Sequence, residues 1–392
     1  MKALRFMAVV MFMMAVVVSP VLAKETIKVG ALLAVTGPAS FLGAPEAKTL
    51  EMMVADINKK GGIKGKKVEL IIKDTGASPE KALSFAKQLI EEDKVLAIIG
   101  PSTSGETMKI KSVAEEAKAI LLSCAAAEVI VNPVAKYVFK TPQMDKHAVI
   151  KIFEQMKAMN LSKAGVLSSN TGFGKAGKEQ IEKLAPEYGI QIVANEVYDK
   201  AATDLTAEVT KVKASGAEAI INWSIEPAQS IVIKNARQIG FKGQIFQSHG
   251  FGNIKYVEAA GEAAEGVIFP AGRLLVADAL PNNHPQKAVL MKYKKDYEAM
   301  FKEDASTFGG HAYDAMLILT KAIEKAGSTD KEALRNAIEG LKGVVGTAGI
   351  FNFSAQDHNG LDINSFEMLT VKKGKFVILS TPPKKEDTPK KK

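Results

Sequence analysis

The order of apolar runs and helical stretches predicts an α/β protein: two doubly wound lobes with parallel sheets, joined by a multi-strand hinge. Three observations carry this expectation. Short runs rich in Val, Ile and Leu alternate with helical stretches, the pattern of parallel strands joined by right-handed crossovers. The alternation comes in two series, over about 24–143 and 144–250. The chain has 392 residues, 47% of them apolar, which is too long for one ordinary core and rich enough to fill two.

In the first series a strand at 27–33 precedes a helix at 44–59. Strand 68–73 leads to a helix over 79–92, strand 95–99 to one over 104–118, and strand 119–123 closes the series. The second series runs strand 164–168, helix 174–185, strand 190–196, helix 204–214, strand 217–223, helix 226–239 and strand 244–247. A helical pair (about 285–302 and 308–326) and strands near 349–353 and 366–379 follow. These must join one lobe or the other, so the chain is expected to cross between lobes more than once.

Composition removes several classes of function. Aromatic residues make up only 6%, too few for a base-stacking platform. The single Cys124 excludes a disulfide framework and a multi-cysteine metal cluster. The formal charge of +9 is concentrated at the ends. Lys2 and Arg5 lie in the first 23 residues, and 382–392 holds five lysines against Glu386 and Asp387, so the body carries about +4. Its charges are interspersed along helical faces, as on a solvated surface, and no nucleic-acid partner is expected. The tail reads as a disordered basic extension.

The N-terminus has a basic start, an apolar stretch from Met7 to Val18, and small residues Val21 and Ala23. This predicts a signal peptide cleaved before Lys24. No cysteine follows the apolar stretch, so the expected product is a periplasmic protein without a lipid anchor.

Several local motifs suggest chemistry. Gly172-Phe173-Gly174-Lys175-Ala176-Gly177 is formally a dinucleotide fingerprint. The loop 168–171 separates it from its strand, however, which favours a plain strand–turn–helix connection. Gly100-Pro101-Ser102-Thr103-Ser104-Gly105 misses the nucleophile elbow by one glycine. It offers hydroxyls and helix-start N–H groups that suit an anion or carbonyl oxygen equally as well as simple N-capping. The five histidines lack metal-ligand spacing. His147, His284 and His358 are expected at the surface, and His311 in a structural role. His249, followed by Gly250, lies just past a strand end, where doubly wound sheets bind ligands. Trp223 ends a strand and fits either cleft wall or core, and Glu226 lies close by. No enzyme activity, metal or cofactor is expected.

Several segments in order resemble one family. They are Thr36-Gly37-Pro38, Asp56-Ile57-Asn58-Lys59-Lys60-Gly61-Gly62-Ile63-Lys64-Gly65, Gly100-Pro101-Ser102, Ala236-Arg237-Gln238-Ile239-Gly240-Phe241, Ala264-Glu265-Gly266-Val267 and Tyr313-Asp314-Ala315. Together they resemble type I periplasmic solute-binding proteins of the leucine/isoleucine/valine-binding family, from about Lys24 to Val377. The resemblance implies two lobes joined by three crossings, the first 24–143 plus 274–353 and the second 144–273 plus 354–380. It implies a monomer that captures a small amino acid or carboxylate in the cleft and delivers it to the permease and ATPase subunits of an ABC importer. Alternatives are an aromatic or aliphatic carboxylate, another non-amino-acid ligand, or a sensory role.

By the same resemblance Phe41 and Leu42 cover the ligand, Ser104 binds its carboxylate, and the backbone at Ala125 and Ala126 meets its polar head. Phe173, Ile225 and Phe308 supply apolar contacts. The sequence departs from the family at two positions. Ala127 stands where a threonine hydroxyl is usual, and His249 where a glutamate pairs with the ligand ammonium.

Overall fold

The computed structural model describes residues 26–380, so the expected signal peptide and the lysine-rich tail lie outside the described residues. The chain opens with β1 (Ile27–Leu33), α1 (Ser40–Lys59), β2 (Val68–Asp74), α2 (Pro79–Glu91), β3 (Ala97–Ile99), α3 (Ser104–Glu116), β4 (Ile120–Ser123) and β5 (Val138–Lys140). These five strands form one parallel sheet in the order β2-β1-β3-β4-β5. Strand alternation builds a core on each face. Val29, Ala31, Leu33, Ile99, Ile120 and Leu122 point to one face, and Leu32, Ile98 and Leu121 to the other.

The second lobe contains α4 (Asp145–Ala158), β6 (Lys163–Ser169), α5 (Gly172–Leu184), β7 (Gln191–Tyr198), α6 (Thr206–Ala214), β8 (Ala219–Trp223), α7 (Ala228–Gln238), β9 (Gln244–Gln247), α8 (Ile254–Ala260) and β10 (Ile268–Ala271). The chain then returns to the first lobe with α9 (Lys287–Phe301), α10 (Thr307–Ala326), α11 (Lys331–Glu339) and the ribbon of β11 (Val344–Val345) and β12 (Ile350–Phe351). The apolar faces of α10 and α11, with that of α1, cover one face of the first sheet, opposite α2 and α3. Finally β13 (Glu367–Lys372) and β14 (Lys375–Ile378) extend the second sheet, giving β14-β13-β10-β9-β8-β6-β7. The β10–β13 and β13–β14 pairings are antiparallel, so the second sheet is not purely parallel. Lys373 and Gly374, both at positive φ, make the two-residue turn that a right-twisted hairpin favours.

Several elements lie outside the expected series: α4, α8, α11, β5, β10 and β11. In α4 the signal is present in the sequence, because Ala148, Val149, Ile152, Phe153 and Met156 follow helical spacing and all are buried. The helix α1 begins at Ser40, earlier than position 44, and runs through Pro45. Proline lacks the N–H that would bond the carbonyl four residues back. In this helix that carbonyl belongs to Phe41, and Asn253 Nδ2 of the second lobe donates to it at 3.0 Å.

Three segments cross between the lobes side by side. Gln143, on the first, donates to Ala348 O at 2.8 Å and to Ser365 O, on the third, at 3.3 Å. A Cβ on Gly272, on the second, would lie 2.9 Å from the same amide nitrogen. The third crossing falls later than the boundary expected at 353/354. Phe353 and Leu361 pack in the first-lobe core, while Phe366 packs in the second. His358 is also not at the surface. It stacks on Phe139 at 4.0 Å, and its Nδ1 meets Val138 O at 2.8 Å.

Candidate functional site

Between the lobes lies a cavity with an empty volume of about 330 Å³. The first lobe contributes Leu42 from α1, Ser102 and Ser104 at the start of α3, Cys124, Ala125 and Ala126 after β4, Pro142 at the hinge, and Phe308 and His311 from α10. The second lobe contributes Phe173 from α5, Ile225 after β8, and His249 and Gly250 after β9. Every one of these segments follows a strand's C-terminal end or opens a helix, where an open α/β sheet leaves a crevice.

The polar head of the cavity is built on α3. Thr103 caps the helix, its hydroxyl accepting from Glu106 N at 3.4 Å and donating to Glu106 Oε2 at 2.6 Å. Ser104 Oγ accepts from Ala127 N at 3.3 Å, which leaves its own proton free to donate. The Ala126 N–H has no partner among the described residues. A hydroxyl, a free amide and the positive end of α3 thus converge on one spot, a suitable seat for a carboxylate. Ser102 is different: it accepts from Ala34 N at 3.0 Å and donates to the buried Glu46, so its hydroxyl is spent. Burial pushes the Glu46 carboxyl well above the usual range.

The opposite wall is aromatic. His249 sits edge-on to Phe173 at 5.4 Å, Trp223 at 5.7 Å and Phe366 at 5.5 Å. Burial, with Lys140 and His311 nearby, pulls its pKa well below the ordinary imidazole value. Burial and Lys140 likewise pull His311 down to about 3. Lys140 is fully buried and gives its protons to the carbonyls of Pro142 at 2.7 Å and Gln143 at 3.2 Å. Burial also drives the Cys124 thiol up, so it stays protonated and is no nucleophile.

Ten of the residues singled out in the sequence meet in this cavity, and five do not. Thr103 and Glu226 line a neighbouring cavity of about 580 Å³, behind a partition made by Phe173 and Ile225. Glu226 accepts from Ser224 Oγ at 2.6 Å and Ile225 N at 3.2 Å. Asp145, a buried acid at the start of α4, is tied to the N–H groups of Glu128 and Lys146 at 3.1 and 2.9 Å. Phe41 packs edge-on against Tyr256 at 5.3 Å instead of facing the cavity. Ala127 lies behind Ser104, and Trp223 behind Phe173 and His249. The wall also includes Cys124, Pro142 and His311, which sequence reasoning missed. His311 is the one that carried a signal, because it follows Phe308 by three residues on one helix face.

The glycine motif at 172–177 serves close packing. A Cβ at Gly174 would lie 1.9 Å from Ser169 O, one at Gly177 2.1 Å from the Trp223 indole nitrogen, and one at Gly172 2.7 Å from Gly105 across the cleft. With side chains excluded there, α5 can lie against the strand end, the tryptophan and the other lobe.

The sole tryptophan touches two wall residues without facing the ligand space, so it reports on the cavity indirectly. Filling the cavity is expected to shift Trp223 emission, and Phe173→Leu to reduce the shift by half or more. An unchanged spectrum with a bound ligand would show that the wall does not move.

Two lobes that meet around a small cavity define a solute-capturing clamp. The chain belongs to the periplasmic binding protein family, whose model matches residues 26–375, and it is of the type I, leucine/isoleucine/valine-binding kind. It is 26% identical over 322 residues to the leucine-, isoleucine-, valine-, threonine- and alanine-binding protein of Pseudomonas aeruginosa, covering 81% of this chain and 83% of that one. An extracellular ligand-binding receptor from Rhodopseudomonas palustris HaA2 superposes with a TM-score of 0.85 at 29% identity, over 91% of this chain and 100% of that one. The branched-chain amino acid transporter substrate-binding protein of Streptococcus pneumoniae, solved with isoleucine, gives 0.78 at 26% identity over 90% and 98%. By family the chain is a periplasmic solute-binding protein of the kind that serves transport. Among the described residues no helix is long and apolar enough to cross a membrane.

Proposed function

We propose that this protein works in the periplasm as a monomer, after removal of residues 1–23, and captures one small carboxylate-bearing solute for the importer's permease. It carries out no chemistry on the solute and uses no cofactor. The carrying observation is the pairing of a free hydroxyl and a free amide, at Ser104 and Ala126, with an apolar wall contributed by both lobes. The head group is oriented by hydrogen bonds to the first lobe. The remainder meets Leu42, Phe173, Ile225 and Phe308, so full contact exists only in the closed form, and ligand shifts the lobes toward it.

Calorimetry over amino acids, 2-oxo acids, aromatic acids and short fatty acids tests this reading. One class is expected to bind at micromolar strength or better, with small-angle scattering showing compaction. An absence of binders would overturn it. Ser104→Ala removes the free hydroxyl and is expected to weaken carboxylate binding about 10-fold, the scale of one charge-assisted hydrogen bond. Intact-mass measurement of periplasmic material is expected to show a chain beginning at Lys24. A full-length mass in the membrane fraction would refute export by cleavage.

A further inference from the structure

Among the described residues the wall of the interlobe cavity contains no acidic side chain. Five acids are buried among the described residues, and each already holds a donor from the chain itself. Glu46 is held by Ser102, Glu106 by Thr103, Asp145 by Glu128 N, Glu226 by Ser224, and Asp314 by Thr347.

What lines the cavity instead is a pair of imidazoles. His249 is only 8% exposed, and neither ring nitrogen has a partner among the described residues; His311 is 6% exposed, with Nδ1 likewise unpartnered. Two buried, unsatisfied polar side chains on one cavity call for a ligand that satisfies them. Burial keeps both rings neutral, and the buried Lys140 ammonium acts on both in the same direction.

A ligand ammonium in this place would carry a full positive charge out of water with no carboxylate of the cavity wall to meet it. An uncharged oxygen needs no counter-ion. A neutral imidazole presents one donor and one acceptor, enough to donate to an oxo group or to exchange hydrogen bonds with a hydroxyl. The carboxylate seat and the imidazoles line the same small cavity, so that oxygen lies within a few bonds of the carboxylate.

We propose that the solute is a 2-oxo or 2-hydroxy carboxylate, with an oxygen facing His249 and His311 where an amino acid would place its ammonium. This rests on the solute-capture reading above. It makes His249 the residue that sets specificity between amino acids and their oxygen analogues.

Matched pairs test it directly. Leucine is compared with 4-methyl-2-oxopentanoate, and phenylalanine with phenylpyruvate, by calorimetry on the mature chain. Each pair differs only at the group in question. In at least one pair the oxo acid is expected to bind 30-fold or more tightly than the amino acid. Equal or tighter binding of the amino acid in both pairs overturns the proposal and leaves solute capture standing. So does binding of a solute with neither a 2-oxo nor a 2-hydroxy group when neither pair is bound, whereas an absence of any binder overturns capture itself. His249→Glu supplies the missing counter-ion and is expected to move the ratio at least 10-fold toward the amino acid. A loss shared equally by both members of a pair would mean that His249 only packs the wall, and would overturn its assigned role.

Discussion

Gly172→Val is expected to weaken solute binding about 100-fold while leaving the melting temperature of the ligand-free protein within a degree or two. A Cβ at Gly172 would lie 2.7 Å from both the Cα and the N of Gly105, so the obstacle is backbone and cannot swing aside. Gly172 opens α5 in the second lobe and Gly105 stands in the first turn of α3 in the other, so the clash exists only when the lobes meet. Closure also brings Asn253 Nδ2 to Phe41 O, Thr307 Oγ1 to Gly252 O at 3.2 Å, and Gln180 Nε2 to Glu128 Oε2 at 2.8 Å. Side-chain bulk between the lobes would keep these bonds from forming. A closed state disfavoured by about 3 kcal/mol lowers apparent affinity by about two decades. Calorimetry reads the affinity, and scattering reads the loss of ligand-induced compaction. Wild-type affinity in the variant would show that binding does not require this contact.

Asp314→Ala is expected to cost about 3–5 kcal/mol and to lower the melting temperature by roughly 10 °C. The fully buried carboxylate on α10 accepts from Thr347 N at 2.6 Å, Thr347 Oγ1 at 3.0 Å and Ala348 N at 2.8 Å. It thereby ties the loop between β11 and β12 to the first-lobe core, and alanine would leave three buried donors unmet. Burial, opposed by the Thr347 and Ala348 N–H groups, pushes this carboxyl up to about 7. The unfolded value is about 3.9. Because the folded state holds the proton more tightly, this contribution is fully present below pH about 4 and fades as pH rises through about 7. The gap between wild type and variant is therefore expected to be wider at pH 5 than at pH 8. Thermal melts at the two pH values check this, and a gap that widens with pH would refute it.

Much of both sheets is legible in the sequence, because a buried parallel strand is apolar along nearly its whole length. The runs at 27–33, 120–123 and 219–223 show this without help from neighbours. Elements that depend on neighbours are harder to read. Strand β5 is three residues long, too short for any period to register, and exists because β4 offers it an edge. The β13–β14 hairpin shows as an apolar region with no lobe attached, and its place is set by pairing with β10 about 100 residues earlier.

The site divides in the same way. Ser104, Phe173, His249 and Phe308 can be singled out because strand ends and helix starts are local features, and the fold does bring them to one cavity. Their states cannot be read locally. Ser102 and Ser104 look alike in the sequence, yet one hydroxyl is spent on Glu46 and the other keeps its proton. Trp223 and Phe41 look like wall residues but stand behind the wall. By itself, the sequence determined the alternation of strands and helices, the two lobes and the residue types at the cleft, because these follow from periodicity over a few neighbouring positions. Only the tertiary structure decided which carboxylates are already paired, which imidazoles are left without partners, and where glycine lets two backbones touch. Those outcomes depend on contacts between segments far apart in the chain, and they take shape only when the lobes fold and close on each other.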